Sequence, residues 1–577
     1  MGNPMRNLAP LAVLVCVSSL VVAQEAVSDI PGPTIRASTR LVLVDVLVTD
    51  KTGRPVTDLA AQDFALLEEG KPQALATFAP ERPQTPTPRK NLPALPPDVY
   101  TNRPTYRAGP GPLTILLLDA LNTTVGDQSY ARREMLDYLH TQLQPGRRMA
   151  VLALTSQLHF LQDFTGDPEL LRRAVEAYIA SDSRNLSIED VEKRLPPPPS
   201  GGGGATYAVM INSLRKMLLE QAVSSVDERA EKTLQAFRTL AQSVAGLPGR
   251  KSLIWVSGSF PLTFAPQTRP ILGPGQLVDS RNYEPDIRRT AQMLADAQVA
   301  VYPVDAHGLG GAPFMDASQP LKNDMGHIYA GDDLREDLSR SSEPSLNARA
   351  AMEEIAGLTG GLAFVSRNDI DNAVASSVAD GSSYYTLGYY PKDKNWDGQF
   401  RTVQVKVARS GLHLRYRRGY YATDLASLPV HAGSKEDAEL MSELRNVALP
   451  ASLVVFDARV SPSAAAGGNE VAIDFRVDLN TLSFELMSNQ GHHYNVDFHA
   501  VAFTPDGQIT AHRDSRLDAP VAGQRYEQLI QEGLPYRTSL TLPPGRYQLR
   551  LMVRDNRTGF LGSLDVPLVL EEPKKPK

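Results

Sequence analysis

Between Leu113 and Val365 the chain repeats one pattern: a short run without charges, then a stretch with helical spacing. Leu113 to Leu118 ends on Asp119, and Met149 to Leu154, Leu253 to Val256 and Val299 to Val304 are runs of the same kind. A strand that is apolar on both faces has to be covered on both faces, which a parallel sheet flanked by helices provides. Helical spacing lies between the runs. It is seen at Asp127 to Leu143, after the Asp167-Pro168-Glu169 start, at about Tyr207 to Ser225, at Asp227 to Ala245 and at Ile287 to Ala297. The expected class is α/β, a doubly wound and mainly parallel sheet over residues 113–380.

On either side the period changes to two. Residues 33–80 carry strand patterns at Arg40 to Val48, Asp63 to Leu67 and Gln73 to Phe78, and residues 381–422 carry three more, at Tyr384 to Tyr390, Phe400 to Val407 and Leu412 to Tyr420. Neither set has enough strands to bury a core alone, so the two are expected to form one small β-sandwich into which the α/β domain is inserted. Residues 81–112 are rich in proline and read as an extended linker, where neither a helix nor a central strand is credible. A second low-complexity stretch, 195–205, contains Pro196 to Pro199 and Gly201 to Gly204 and reads as a flexible insertion. Residues 446–571 form a further all-β run, with a spacing that fits an Ig-like or fibronectin-like β-sandwich.

The 577 residues carry a formal net charge of -6, which argues against nucleic acid as a partner at whole-chain level. The one cysteine, Cys16, excludes disulfides within the chain, CxxC redox chemistry and Cys-ligated zinc. Residues 1–23 have the pattern of a secretory signal peptide: Arg6, an apolar run from Leu8 to Val22, then Ala23 as cleavage site. Val15 before Cys16 is bulkier than a lipid-modifying peptidase expects, so a lipoprotein anchor is disfavoured. No other run reaches the ~18 residues needed to cross a bilayer, so an exported, periplasmic or extracellular protein without a transmembrane segment is expected.

Asp119-Ala120-Leu121-Asn122-Thr123 follows the first apolar strand, at the sheet edge where open α/β folds bind ligands. Here the chain resembles a von Willebrand factor A (vWA) domain, whose metal-ion-dependent adhesion site begins Asp-x-Ser-x-Ser. It is closer still to the vWA-related family found in acidobacteria. The resemblance rests on Leu117 to Thr123, Gly249 to Gly258, Tyr384 to Tyr390 and Arg418 to Tyr421, and covers about residues 113–380. It implies a Rossmann-like vWA domain, protein–protein contact or adhesion, and a Mg²⁺ or other divalent cation at a degenerate site. Asp119 and Thr123 match the metal-site pattern by position, and Thr206 corresponds to a third ligand. Leu121 and Ser257 stand where ligands are expected. Two readings of Asp119 stay open: cation ligand, or carboxylate cap on the amides of its own loop.

Other motifs point to less. Gly246 to Ser252 is a near miss for a phosphate loop and reads as a helix-ending turn before a strand. His493, Asn495, Asp497 and His499 share one strand face, either a surface metal site or a solvated face. Asp305 and His307 end another strand, on the same edge as Asp119. Glu68-Glu69 and Glu353-Glu354 are adjacent acids, read as solvated. There is no HExxH and no GxSxG elbow. The chain therefore reads as a non-enzymatic binding module for a protein or other macromolecule of the envelope or beyond the cell. The alternatives are a metal-free envelope scaffold and, less favoured, a secreted hydrolase with an unrecognised site.

Overall fold

The computed structural model describes residues 41–82, 95–104, 112–143, 147–178, 204–258, 269–270, 277–278, 282–307, 348–367, 369–423, 451–462, 469–487 and 491–571. The expected leader, with Cys16 and Ala23, and residues 195–203 of the expected insertion lie outside the described residues. From residue 41 onward the described residues form a mixed α/β structure with several sheets.

The chain opens with β1 (Val42–Thr49), β2 (Phe64–Glu68), β3 (Lys71–Gln73), β4 (Leu75–Glu81) and β5 (Val99–Thr101). Next come β6 (Leu113–Asp119), α1 (Val125–Thr141), β7 (Arg148–Leu154), β8 (Leu158–Thr165), α2 (Pro168–Ala177), α3 (Gly204–Val244) and β9 (Lys251–Ser257). A two-residue pair, β10 (Arg269–Pro270) and β11 (Leu277–Val278), precedes α4 (Glu284–Asp296) and β12 (Val299–Asp305). Residues 348–359 form α5, and α6 spans Ile370–Asp380.

The central sheet has the order β12-β9-β6-β7-β8. β12, β9, β6 and β7 pair in parallel, while β8 is an antiparallel edge. Every residue of β6, β9 and β12 is buried, as their unbroken runs require. One face packs against Phe237, Leu240, Ile287, Leu294, Met352 and Ile355 of α3, α4 and α5. The opposite face packs against Met135, Leu171 and Val374 of α1, α2 and α6. Local signals start two of these helices. Thr124 accepts the Asp127 amide at α1, and Asp167 accepts the Glu169 amide at α2 with Pro168 just inside.

One expected boundary is overturned. The sequence predicts two helices meeting near residue 226, whereas α3 runs unbroken through that point. Asp227 looks like an N-cap, but its carboxylate accepts the Tyr283 hydroxyl, and buried Ala222, Ala230 and Leu234 continue one helical face across the junction.

β13 (Tyr384–Tyr389), β14 (Asp397–Val407), β15 (His413–Arg415) and β16 (Gly419–Thr423) follow. They interleave with the N-terminal strands in two sheets, β15-β1-β13-β4 and β16-β14-β2-β3. Val44, Val46, Leu66, Leu387 and Val405 fill their shared core.

The C-terminal strands are β17 (Phe456–Pro462), β18 (Glu470–Val477), β19 (Glu485–Leu486), β20 (His492–Phe503), β21 (Ile509–Val521), β22 (Leu534–Thr541), β23 (Gly545–Asp555) and β24 (Leu561–Leu570). The helix α7 (Gly523–Glu532) joins β21 to β22. One sheet has the order β22-β18-β17-β5 and the other β19-β20-β23-β24, with β21 beside β20. The proline-rich segment is thus more than a linker, since its residues 99–101 add an edge strand to this sheet. Buried Asn102 clamps it there. The side chain donates to the Ala451 and Val454 carbonyls, at 2.9 and 2.8 Å, and accepts the Phe456 N–H at 2.8 Å. No described helix is long and apolar enough to cross a membrane.

Candidate functional site

Asp119 closes β6 at the carboxyl edge of the central sheet, and it is 2% exposed. Its Oδ2 accepts from Asn122 Nδ2 at 2.8 Å, Trp255 Nε1 at 3.0 Å and Ser257 Oγ at 2.8 Å. Its Oδ1 accepts the Asn122 backbone N–H at 3.0 Å. Trp255 and Ser257 are two residues apart on β9, so strand alternation puts both on one face of the sheet, the face that also carries Asp119 of the neighbouring β6. Burial pushes the carboxyl group up from its ordinary range, and the hydrogen bonds from Asn122, Ser257 and Trp255 pull against it.

The loop after Asp119 is pinned from several sides. Asn122 Nδ2 also donates to Thr233 Oγ1 of α3 at 2.9 Å. Thr123 Oγ1 accepts the Gly258 N–H at 2.8 Å. Gln128 Nε2 donates to the Thr123 carbonyl at 2.7 Å, and Tyr178 donates to Gln128 Oε1 at 2.9 Å. Gly258 has no room for a side chain. A Cβ there would lie 2.9 Å from His307 Cε1 and 3.2 Å from Thr123 Cα.

Of the residues the resemblance assigns to a metal, Asp119 and Thr123 stand together at this edge, with Ser257 beside them. Leu121 packs against the hydrophobic core. Thr206 lies in the first turn of α3, and its side chain is outside the described residues. The donor set does not fit a divalent cation. Such an ion needs oxygen lone pairs around an open position. Here indole and amide hydrogens point at the carboxylate, while Asn122, Thr123 and Ser257 are buried. Among the described residues no cluster of three His, Cys, Asp or Glu could hold a metal. Two contributors, Asn122 and Trp255, were not singled out from sequence. Both stand within the motif segments, but nothing in strand periodicity says that they meet.

The rim beside this buried knot carries charge. Asp305, at the end of β12, is buried and accepts the His307 N–H at 3.0 Å. The His307 ring sits 3.4 Å from Asp305 and 3.5 Å from Asp127 in the first turn of α1. Hydrogen bonding to Asp305, with the charges of Asp127 and Asp305 adding to it, raises the imidazole pKa against the effect of burial. Arg349 Nε lies 3.7 Å from the other Asp305 oxygen.

The remaining motifs prove structural. Lys251 Nζ is buried and donates to the Leu247 carbonyl at 2.7 Å, closing the turn between α3 and β9. Arg250 N–H donates to the Tyr384 hydroxyl of β13 at 2.8 Å, which ties the turn before β9 to the sheet of β1, β13 and β4, and its guanidinium donates to the Gly360 carbonyl at 2.6 Å. Glu68 is not solvated. It is 2% exposed, because β2 turns it inward with Phe64 and Leu66, and it accepts the hydroxyls of Tyr389 and Tyr420. The strand face of His493 to His499 is not simply solvated either, since Asp497 and His499 are buried. It pairs across to β21, with Asp497 to Arg516, His499 to Asp514 and His493 to Asp518.

No protein-family model matches the sequence, and no curated protein matches it. Among solved structures, an aerotolerance-related membrane protein from Bacteroides fragilis is similar at 12% identity over 47% of this chain and 98% of its own, with a TM-score of 0.24. The pilus adhesin SpaC from Lactobacillus rhamnosus is similar at 9% identity over 80% of this chain and 54% of its own, with a TM-score of 0.23. A von Willebrand factor type A structure from Catenulispora acidiphila is similar at 11% identity over 58% and 71%, with a TM-score of 0.17. At such scores the superpositions fix neither fold family nor role.

Proposed function

We propose that this chain is a non-catalytic, exported binding module of vWA type. In this reading the vWA-like α/β domain is inserted in the N-terminal sandwich and followed by an Ig-like sandwich. It presents the loops at the carboxyl edge of its central sheet to a protein or other macromolecule, and it does so without a cation. The observation that carries this reading is the Asp119 carboxylate, whose two oxygens accept four protein hydrogen bonds. A carboxylate so satisfied holds its own loop in place and has no need of Mg²⁺ to do so. The partly exposed rim at His307, Asp127 and Arg349 is then the contacting surface.

The test is affinity capture from envelope extract, with and without chelator, alongside a His307→Ala/Asp127→Ala variant. Equal recovery of a partner in both buffers, with loss in the rim variant, is the expected result. Loss of the partner on chelation, together with a Mg²⁺-dependent rise in melting temperature, would overturn it.

A further inference from the structure

β21 is a 13-residue strand, and among the described residues it has one strand neighbour, β20. A long strand at the end of a sheet offers unpaired N–H and C=O groups to any chain that can match them. Natural edges are commonly guarded by charges, so the pattern of charge decides whether this one repels or recruits.

Along the outer face of β21 the even-numbered residues are His512, Asp514, Arg516, Asp518 and Pro520. Each of the three charged ones already meets β20 on one side: Arg516 Nε lies 2.6 Å from Asp497, Asp514 2.8 Å from His499, and Asp518 2.9 Å from His493. They keep substantial exposure, with 52% of the Arg516 side chain and 40% of the Asp514 side chain accessible.

We infer that β21 pairs with β21 of a second copy of this chain, antiparallel and in the register centred on Ser515. A twofold axis there sets Asp514 opposite the other copy's Arg516, and Arg516 opposite its Asp514. His512 and Asp518 face one another in the same reciprocal way. Opposite charges placed directly across a strand pair stabilise it, and like charges destabilise it. The neighbouring registers fail on this ground. A centre at Arg516 stacks arginine on arginine and Asp514 on Asp518, whereas a centre at Asp514 stacks the two aspartates. On the inner face, the chosen register matches Ala511 with Ala519 and Arg513 with Leu517. Pro520 falls opposite Thr510 at the end of the shared segment, where its missing N–H costs least. The row His499, Asp514, Arg516 of the second copy and its Asp497 then continues one line of cross-strand pairs through the axis. An isologous contact of this kind closes on itself as a dimer.

Multi-angle light scattering on the full chain tests the pairing. Wild type is expected to run as a dimer at micromolar concentration, and Asp514→Arg and Arg516→Asp each as a monomer. Mixing the two variants is expected to restore a dimer, because the first then carries arginine at both positions and the second aspartate at both, and these meet across the axis. A monomeric wild type, or a mixture no more associated than its components, would overturn the proposal. Should either variant fail to fold, Ser515→Cys in a Cys16→Ser background gives a second reading. Opposed Cα atoms ~4.5–5.5 Å apart are close enough for a disulfide, so mild oxidation should yield a covalent dimer on a denaturing gel. Its absence would count against the register.

Discussion

The Ser257 hydroxyl donates to Asp119 Oδ2 across 2.8 Å, tying the ends of two adjacent parallel strands at the edge where such sheets present their loops. The contact gives the buried carboxylate a neutral protein donor at the position where the vWA resemblance leads one to expect a metal ligand. Its energetic consequences can be measured independently of any partner.

Replacing Asp119 with Ala leaves the Trp255 and Asn122 donors buried without their acceptor. Destabilisation on the order of 2–5 kcal/mol is expected by urea denaturation, and Ser257→Ala should cost about 1–2 kcal/mol. Adding Mg²⁺ or Mn²⁺ to the wild type should leave its melting temperature unchanged. A metal-dependent rise would mean that the knot opens to admit an ion.

His307 joins the loop of β12 to the first turn of α1 most strongly when protonated. Its pKa is raised above the ordinary 6.5, so its stabilisation is complete below about 6.5 and fades as pH rises through the raised value. Because the ring is half-exposed, the effect is small. The melting-temperature difference between wild type and His307→Gln should be positive at pH 5.5 and vanish by about pH 8.5. A difference that does not change with pH would rule out the acid pair as its source.

Lys251 works in the opposite sense. Burial lowers its pKa from 10.5 to about 7, with Asp45 opposing the shift. The unfolded chain therefore binds more protons between about pH 7 and pH 10.5, and stability contributed by this site rises with pH across that window. Lys251→Met should be more stable than wild type near pH 7, and the gap should shrink toward pH 10. Parallel pH–stability curves would show that the amine is not desolvated.

Asn102 binds the proline-rich segment to the residues that lead into β17 through three hydrogen bonds. Asn102→Ala should cost about 1–3 kcal/mol and make the segment around residues 95–104 more sensitive to limited proteolysis. Unaltered cleavage would show that β5 is held by its backbone pairing alone.

Much of the architecture was legible because burial leaves a periodic trace. Charge-free runs at Leu113 and Val299 announced strands covered on both faces, and the apolar run from Leu41 to Val48, broken only by Asp45, announced β1, which is buried along nearly all its length. β21 leaves no such trace, because its outer face is charged and its inner face only partly buried. The unbroken α3 was hidden by Asp227, which satisfies a distant tyrosine instead of a helix start.

The sequence by itself determined which residues would stand at the carboxyl edge, because a strand's last residue is set by where its apolar run stops. It also placed Asp119 and Thr123 four residues apart along the chain. Only the tertiary structure decided what Asp119 does there. Its partners Trp255 and Ser257 come from a strand more than a hundred residues away, and the parallel pairing of β9 with β6 brings their donors onto its oxygens. Hydrogen bonds depend on positions in space, and no spacing along a chain encodes which distant N–H will reach a buried carboxylate first.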